Sequence, residues 1–291
     1  MTAGRPILHR MTNPKIALFG INMGNMADPE TMVTVARAAE AAGYESVWTG
    51  EHIVLPDPQA PPSPAAPEVP MVDTAVALAY VAASTSTIRL GSGIIILPQR
   101  QPAVLAKSLA SLDHLSGGRF IFGLGVGYLE PEMTACGVPL AARGRRSDEY
   151  LAAMRLLWTT DAASFDGEYV TFSSVTANPK PAQPTIPVVV GGHTKSAAKR
   201  AVTLGNGWYG FMRNPETTRA DLAMLAEAAD TYERPAELGR LEITITPQGR
   251  LKPGDLEAYA ELGVDRLILQ PGHHRTRDEI LAYIEANRPT A

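Results

Sequence analysis

Strand-like and helix-like stretches alternate along nearly the whole chain, and that alternation limits the fold more than any single motif. Short apolar runs rich in β-branched residues fall at 15–22, 45–49, 88–96, 119–126, 186–191, 207–211, 242–246 and 265–270. Helical periodicity fills the gaps at about 30–42, 71–85, 102–116, 144–159, 194–205, 215–230, 253–262 and 275–287. In the third helix Leu105, Leu109 and Leu112 stand at i, i+4 and i+7, one buried face. Glycine stop signals close two others, at Ala41-Ala42-Gly43 and Glu261-Leu262-Gly263. Eight strand–helix pairs in 291 residues predict an α/β fold, a (β/α)8 TIM barrel. We expect one barrel domain over 15–291 behind an N-terminal tail over 1–14. A doubly wound open sheet usually needs fewer strands, and its dinucleotide-binding form carries G-x-G-x-x-G after the first strand. Here the first strand runs into Asn22-Met23-Gly24-Asn25-Met26 instead.

Composition narrows the function classes. Apolar residues make up 45% of the chain and charged residues 19%, enough core and too little charge for a disordered protein. Net charge is −4 and no run of Lys or Arg exceeds two, so the footprint of a nucleic-acid binder is absent. Cys136 is the only cysteine, which excludes an internal disulfide and a cysteine-based metal cluster. The longest apolar run, Ala75 to Ala83, covers about half a bilayer. These features predict a cytoplasmic protein with no membrane or nucleic-acid partner. The first ten residues carry no apolar signal region, and Met11 suggests that they are an upstream extension or a loose tail.

Two segments interrupt the alternation. Residues 55–70 hold seven prolines and suit neither helix nor central strand. They follow the second strand, on the barrel's functional face, and fit either an inert loop or a stiff lid over a substrate pocket. The second insertion, 160–186, precedes the fifth strand. It reads as a small hairpin turning at Asp166-Gly167, then an extended proline-rich connector.

In a parallel barrel, chemistry gathers where strands end. The second strand ends in Glu51-His52, a carboxylate and a group able to exchange a proton near neutral pH. Neighbours on a strand point to opposite faces, so a direct pair needs a turn there. A structural histidine is the competing account. The third strand ends in the apolar Gly91-Ser92-Gly93-Ile94-Ile95-Ile96, a buried strand or a backing for a flat ring. The fourth is the richest: Phe120 to Glu132 alternates glycines at 123, 125 and 127, then carries Glu130 and Glu132. Glycine there admits a flat or phosphorylated ligand to the backbone. The fifth ends in Gly191-Gly192-His193-Thr194 before a helix, either an ordinary turn or a phosphate cradle of free N–H groups. Arg143, Arg145 and Arg146 fit salt bridges to Asp148 and Glu149, or a ligand's acidic tail. His273 and His274 invite a metal reading, but neither H-x-H on the first strand nor H-E-x-x-H on a helix supports one, and we assign no metal site.

Together these pieces resemble the luciferase-like monooxygenase superfamily, in its coenzyme F420-dependent oxidoreductase branch. The resemblance runs from about residue 15 to the C-terminus. Its most specific segment is LPQRQPAVLAKSLASLDHLSGGRFIFGLGVGYLEPEM at 97–133, with FDGEYVTF, NPKPAQPTIPVVVGG and ELGVDRLIL in order behind it. The resemblance implies a (β/α)8 barrel, a deazaflavin (F420) or alternatively FMN at its C-terminal face, a small-molecule substrate and a homodimer. It implies that Glu51 and His52 stand at the cofactor's reactive edge, with Glu where relatives often have Asp. It places a non-proline cis peptide at Ser92, Gly93 and Ile94. Cofactor contacts fall on Gly125, Val126, Gly127 and Glu130, and the ribityl-phosphate portion on Val190, Gly191, Gly192, His193 and Thr194. Asn206 stands where the family commonly has Asp. The activity implied is hydride transfer, with reduced-FMN monooxygenation or cofactor binding without turnover as the other classes.

Overall fold

The computed structural model describes residues 13–289. The expected tail lies outside the described residues except for Asn13 and Pro14. In chain order the elements are β1 (Lys15–Phe19), α1 (Pro29–Ala42), β2 (Ser46–Thr49), α2 (Thr74–Ala82), β3 (Arg89–Ser92), β4 (Ile95–Ile96) and α3 (Pro102–Ser116). There follow β5 (Phe120–Gly125), α4 (Glu130–Ala135), α5 (Arg143–Thr159), β6 (Ala163–Asp166), β7 (Thr171–Val175), β8 (Val188–Gly191) and α6 (Lys195–Leu204). The chain ends with β9 (Gly207–Arg213), α7 (Pro215–Thr231), β10 (Glu242–Pro247), α8 (Asp255–Glu261), β11 (Arg266–Leu269) and α9 (Arg277–Ala286). β1 pairs in parallel with β2 and β11, and the ladder continues through β10, β9 and β8 to β5. β5 returns to β3 through Leu90↔Phe120 and Gly91↔Ile121, which closes eight parallel strands into the expected barrel.

Every expected strand and helix is present. The run 88–96 divides into β3 and β4, a short helix α4 opens at Glu130, and β9 continues to Arg213. The hairpin is β6 with β7, its strands meeting at Asp166↔Thr171, so the connection spans Gly167 to Val170 rather than a two-residue turn. α5 holds it. Glu149 accepts N–H groups from Glu168, Tyr169 and Val170 at 2.9, 2.7 and 2.9 Å, and Arg146 lies 4.6 Å over the Tyr169 ring. Arg145 pairs with Glu168 at 3.1 Å, while Asp148 is taken by Arg200. Arg145 and Arg146 therefore reach the hairpin, Arg146 also donating to Tyr150 one turn on at 2.9 Å, while Arg143 bonds the Leu140 carbonyl.

Strand alternation sorts side chains into two layers. Leu18, Val47, Leu90, Phe122, Val188 and Ile243 face the helices in the main core. Ala17, Phe19, Trp48, Ile121, Val189, Tyr209 and Ile268 fill the barrel itself. At the strands' N-terminal end the filling is ionic. Arg266, fully buried, bonds Glu45 through Nε and Nη2 at 2.7 and 2.8 Å, Thr244 at 3.0 Å and also Glu242. Its guanidinium lies 5.6 Å from the Trp48 ring. Burial alone would raise the Glu45 carboxyl, but hydrogen bonds and charge from Arg266 bring it down from 4.5 to about 2.

Removing the guanidinium as Arg266→Met leaves carboxylates facing each other, and urea unfolding at neutral pH should show a loss of about 3–5 kcal/mol. Because Glu45 titrates lower when folded, its contribution in the wild type is complete above pH 4.5 and is lost as pH falls toward about 2. The gap between wild type and variant should therefore narrow across that window. A constant gap would mean that packing, not charge, carries the effect.

Candidate active site

Asn22, fully buried after β1, sets the end of β2. Its amide donates to the carbonyls of Gly50 and Val72 at 2.9 and 2.6 Å and accepts the Gly50 N–H at 2.9 Å. Three bonds from one side chain tie the tip of β1, the tip of β2 and the far end of the proline segment together. Beyond this clamp the chain turns, and Glu51 and His52 diverge.

Glu51 does not pair with His52. Its carboxylate accepts the Ile96 N–H at 2.8 Å and bonds Arg100 Nη2 at 2.8 Å, and Arg100 reaches Asp73 at 2.9 Å on its other side. Burial raises the Glu51 carboxyl above its ordinary value, against the pull of Arg100. His52 takes Glu132 instead, with Nδ1 and Oε2 at 2.9 Å, while the other Glu132 oxygen accepts the Ile53 N–H. A carboxylate oxygen accepts from an N–H, so we assign the ring proton to Nδ1, and Nε2 has no hydrogen-bond partner among the described residues. The Tyr128 ring stands edge-on to the imidazole at 6.1 Å. Glu130, the first residue of α4, is exposed, and the fully buried Glu132 two residues on does the bonding.

The wall beside His52 is shaped by a one-residue excess. From Gly91↔Ile121 to Ile95↔Leu124, one strand advances four residues and its partner three. The extra residue sits at Gly93–Ile94, whose peptide bond is cis, as the resemblance implied. Ser92 is fully buried and spent on β5, exchanging hydrogen bonds with Gly123 at 3.0 and 2.8 Å. A Cβ on Gly123 would lie 1.8 Å from the Ser92 carbonyl oxygen, and one on Gly125 would lie 2.0 Å from Ile94 Cδ1. The alternating glycines thus make room first for the neighbouring strand and its Ile94 side chain. Val126 and Gly127 follow, half-buried, where the chain leaves the barrel.

At the end of β8, Val190 packs outward into the main core, and Gly191 borders Ile94. Gly192 has φ +125°, a backbone shape that other residues rarely adopt. Thr194 caps α6 by accepting the Ala197 N–H at 3.2 Å. His193 Nδ1 accepts from Arg213 Nε at 3.0 Å, and that nitrogen also lies 2.8 Å from Asp221. Burial, then the Arg213 charge, hold the His193 pKa below its ordinary value. Arg213 keeps both Nη groups without a protein partner among the described residues, beside the free N–H groups that open α6. Asn206 ties its loop to β8, since its side-chain oxygen accepts the Val188 N–H at 2.9 Å. His273 contributes its carbonyl, which accepts the Asn25 N–H at 3.0 Å.

The sequence matches the luciferase-like monooxygenase family over residues 13–288, and the chain belongs to that family. It is 34% identical over 266 residues to an uncharacterised protein of Mycobacterium tuberculosis, covering 88% of this chain and 92% of that one. An F420-dependent glucose-6-phosphate dehydrogenase of Kineococcus radiotolerans is 33% identical over 184 residues, 62% of this chain and 52% of its own. An FMNH2-dependent dimethylsulfone monooxygenase of Pseudomonas putida is 33% identical over 130 residues, 44% of this chain and 36% of its own. Members with known activity are F420- or flavin-dependent oxidoreductases and monooxygenases, and this chain is an enzyme of that kind.

Two outcomes follow from the geometry. Ring 15N shifts of His52 at neutral pH should report the Nδ1–H tautomer, and Glu132→Gln should shift the population toward Nε2–H; an unchanged tautomer would break the assignment. Gly123→Ala, which drives Cβ into backbone, should cost about 1–3 kcal/mol or more in denaturant unfolding. Gly125→Ala should cost less, because the end of the Ile94 side chain can swing away.

Proposed function

We propose that this enzyme is an F420-dependent oxidoreductase that transfers a hydride between the deazaflavin and a small organic substrate. The observation that carries the reading is the His52–Glu132 pair at the end of β2, a proton-handling group held by a buried carboxylate at 2.9 Å. A deazaflavin, when bound, supplies the hydride chemistry, and the protein supplies position and electrostatics.

The residues present suit such a group. Ile94 and Gly191 offer a flat apolar wall, partly open to solvent. The start of α6 and the unengaged Nη groups of Arg213 suit a phosphate. In this reading His52 Nε2 takes a proton from a substrate hydroxyl in one direction and returns it in the other. Glu132 keeps the ring oriented and offsets its charge when it is protonated. Glu51 stays out of the proton path and ties the end of β2 to β4 and Arg100.

Reduced-FMN monooxygenation is the second reading, favoured by the Pseudomonas putida relative. A homodimer in the cytoplasm belongs to the same proposal; among the described residues no helix is long and apolar enough to cross a membrane.

Titration of the purified protein with F420 and with FMN, followed by cofactor fluorescence, separates the two readings. We expect F420 to bind more tightly, and Arg213→Met to weaken it about tenfold or more through the lost phosphate contact. His52→Ala should bind the cofactor normally and lose about 10²–10⁴ in turnover. Preference for FMN with oxygen uptake would select the second reading. Binding with no turnover that depends on His52 would leave a carrier.

A further inference from the structure

The backbone N–H of His52 is held by a sulfur. Strand β2 ends at Thr49, so this N–H has no place in the ladder, and it donates to Met71 Sδ at 3.1 Å. Met71 stands where the proline-rich segment 55–70 returns to the barrel, and both of its neighbours are tied there. The Gly24 N–H donates to the Pro70 carbonyl at 2.9 Å. The Val72 N–H donates to the Asn22 carbonyl at 3.0 Å, and the Asn22 amide donates to the Val72 carbonyl at 2.6 Å. Met71 itself faces Met23 in an isolated antiparallel bridge. Its backbone is therefore fixed, and its half-buried side chain reaches the turn that carries His52.

Met23, across that bridge, closes on the same turn. A Cβ on Gly50 would lie 2.6 Å from Met23 Sδ. Three contacts then define the setting of His52: its ring Nδ1 on Glu132, the next N–H, of Ile53, on the other Glu132 oxygen, and its own N–H on Met71. Two of the three belong to one carboxylate, about which the turn could pivot. Met71 adds a separate anchor from another segment. A thioether is a weak acceptor, but a part-buried N–H left without any partner costs more than a weak bond gains. The unbranched, polarizable side chain can also follow an N–H that leaves a strand at an irregular angle.

We propose that Met71 is a positioning residue for His52: its sulfur holds the His52 backbone and couples the end of the proline segment to the proton-handling ring. The inference rests on the oxidoreductase reading for what His52 does, but not for how His52 is held. On this account the proline segment is neither inert nor loose at its C-terminal end, because its last turn belongs to the frame of the site.

Amide hydrogen exchange at His52, followed by 15N NMR in the wild type, Met71→Leu and Met71→Gln, tests the anchor. Leu fills a similar volume without an acceptor, whereas Gln has a similar length and carries a carbonyl oxygen. Exchange at His52 should rise about threefold to tenfold in Met71→Leu and return toward the wild-type rate in Met71→Gln. Gly50, whose N–H is held by Asn22, should not change. The ring should keep its Nδ1–H tautomer in both variants, since Glu132 is untouched, while its 13Cε1 resonance broadens in Met71→Leu alone. Faster exchange at Gly50 and His52 together would mean general loosening and would overturn the proposal, as would an unchanged His52. Should the variants not fold, selenomethionine-labelled wild type still decides: a coupling between 77Se and the His52 N–H supports the anchor, and its absence overturns it. The expected pattern in a protein that binds neither F420 nor FMN would uphold the anchor and remove the oxidoreductase reading. F420 binding with a His52 amide insensitive to Met71→Leu would do the reverse.

Discussion

The barrel closes between β3 and β5 through two residue pairs, and the mouth is organised by what happens immediately beyond them. One strand must absorb a residue that its partner lacks before β4 resumes the ladder. A slip of one residue reverses which face a side chain occupies, so Ile94 turns toward the mouth while Ile95 joins the main core. That rotation needs empty space on the neighbouring strands, and glycines at 123, 125 and 191 provide it. The glycines, the bulge and the open apolar wall are one steric solution. Altering any of the three forces a change in the others.

Buried charge in this protein is divided between two ends of the barrel. At the N-terminal end Arg266, Glu45 and Glu242 replace the hydrocarbon layers that usually fill such an interior. A buried ionic cluster of this kind is weak evidence for stability beyond what apolar packing would supply, but breaking it leaves an unpaired charge. At the C-terminal end each carboxylate has a separate task. Glu51 holds backbone and a guanidinium, and Glu132 holds the imidazole and a second backbone N–H. The N-terminal end is closed by its ion pairs, and at the C-terminal end His52 Nε2 has no hydrogen-bond partner among the described residues.

The architecture was legible because strand and helix periods differ, and because Gly43 and Gly263 terminate helices where the patterns stop. The hairpin was legible from Phe165, Asp166, Gly167 and Phe172, though not the extra loop residues, which depend on Glu149 gathering three N–H groups from another element. His52 was marked by its strand-end position. Glu132 was marked at the end of the fourth strand, but not as the partner of His52, because it lies eighty residues away on a helix too short to show which way it faces. The nearest carboxylate in sequence, Glu51, drew attention by adjacency alone. Asn22 and Arg213 escaped for a related reason: a polar residue at a strand end looks like loop chemistry until its partners from other strands are in place. The glycines of β5 were conspicuous, but whether a glycine admits a ligand or a neighbouring side chain is decided by the opposing strand.

The separation of Glu51 from His52 follows from backbone geometry. Adjacent residues leaving a strand project to opposite sides, so only one can face the mouth unless the chain reverses. Asn22 fixes Gly50 by both its N–H and its carbonyl, which removes the freedom to reverse. With His52 on the mouth side, Glu51 is driven into the wall, where a lone carboxylate would be costly without the Ile96 N–H and Arg100. The acid that orients His52 must then come from another strand end, and the turn into α4 brings Glu132 within 2.9 Å. Two carboxylates are needed because one backbone cannot present both residues to the same side. The geometry that separates Glu51 from His52 is therefore the one that leaves His52 to pair with Glu132.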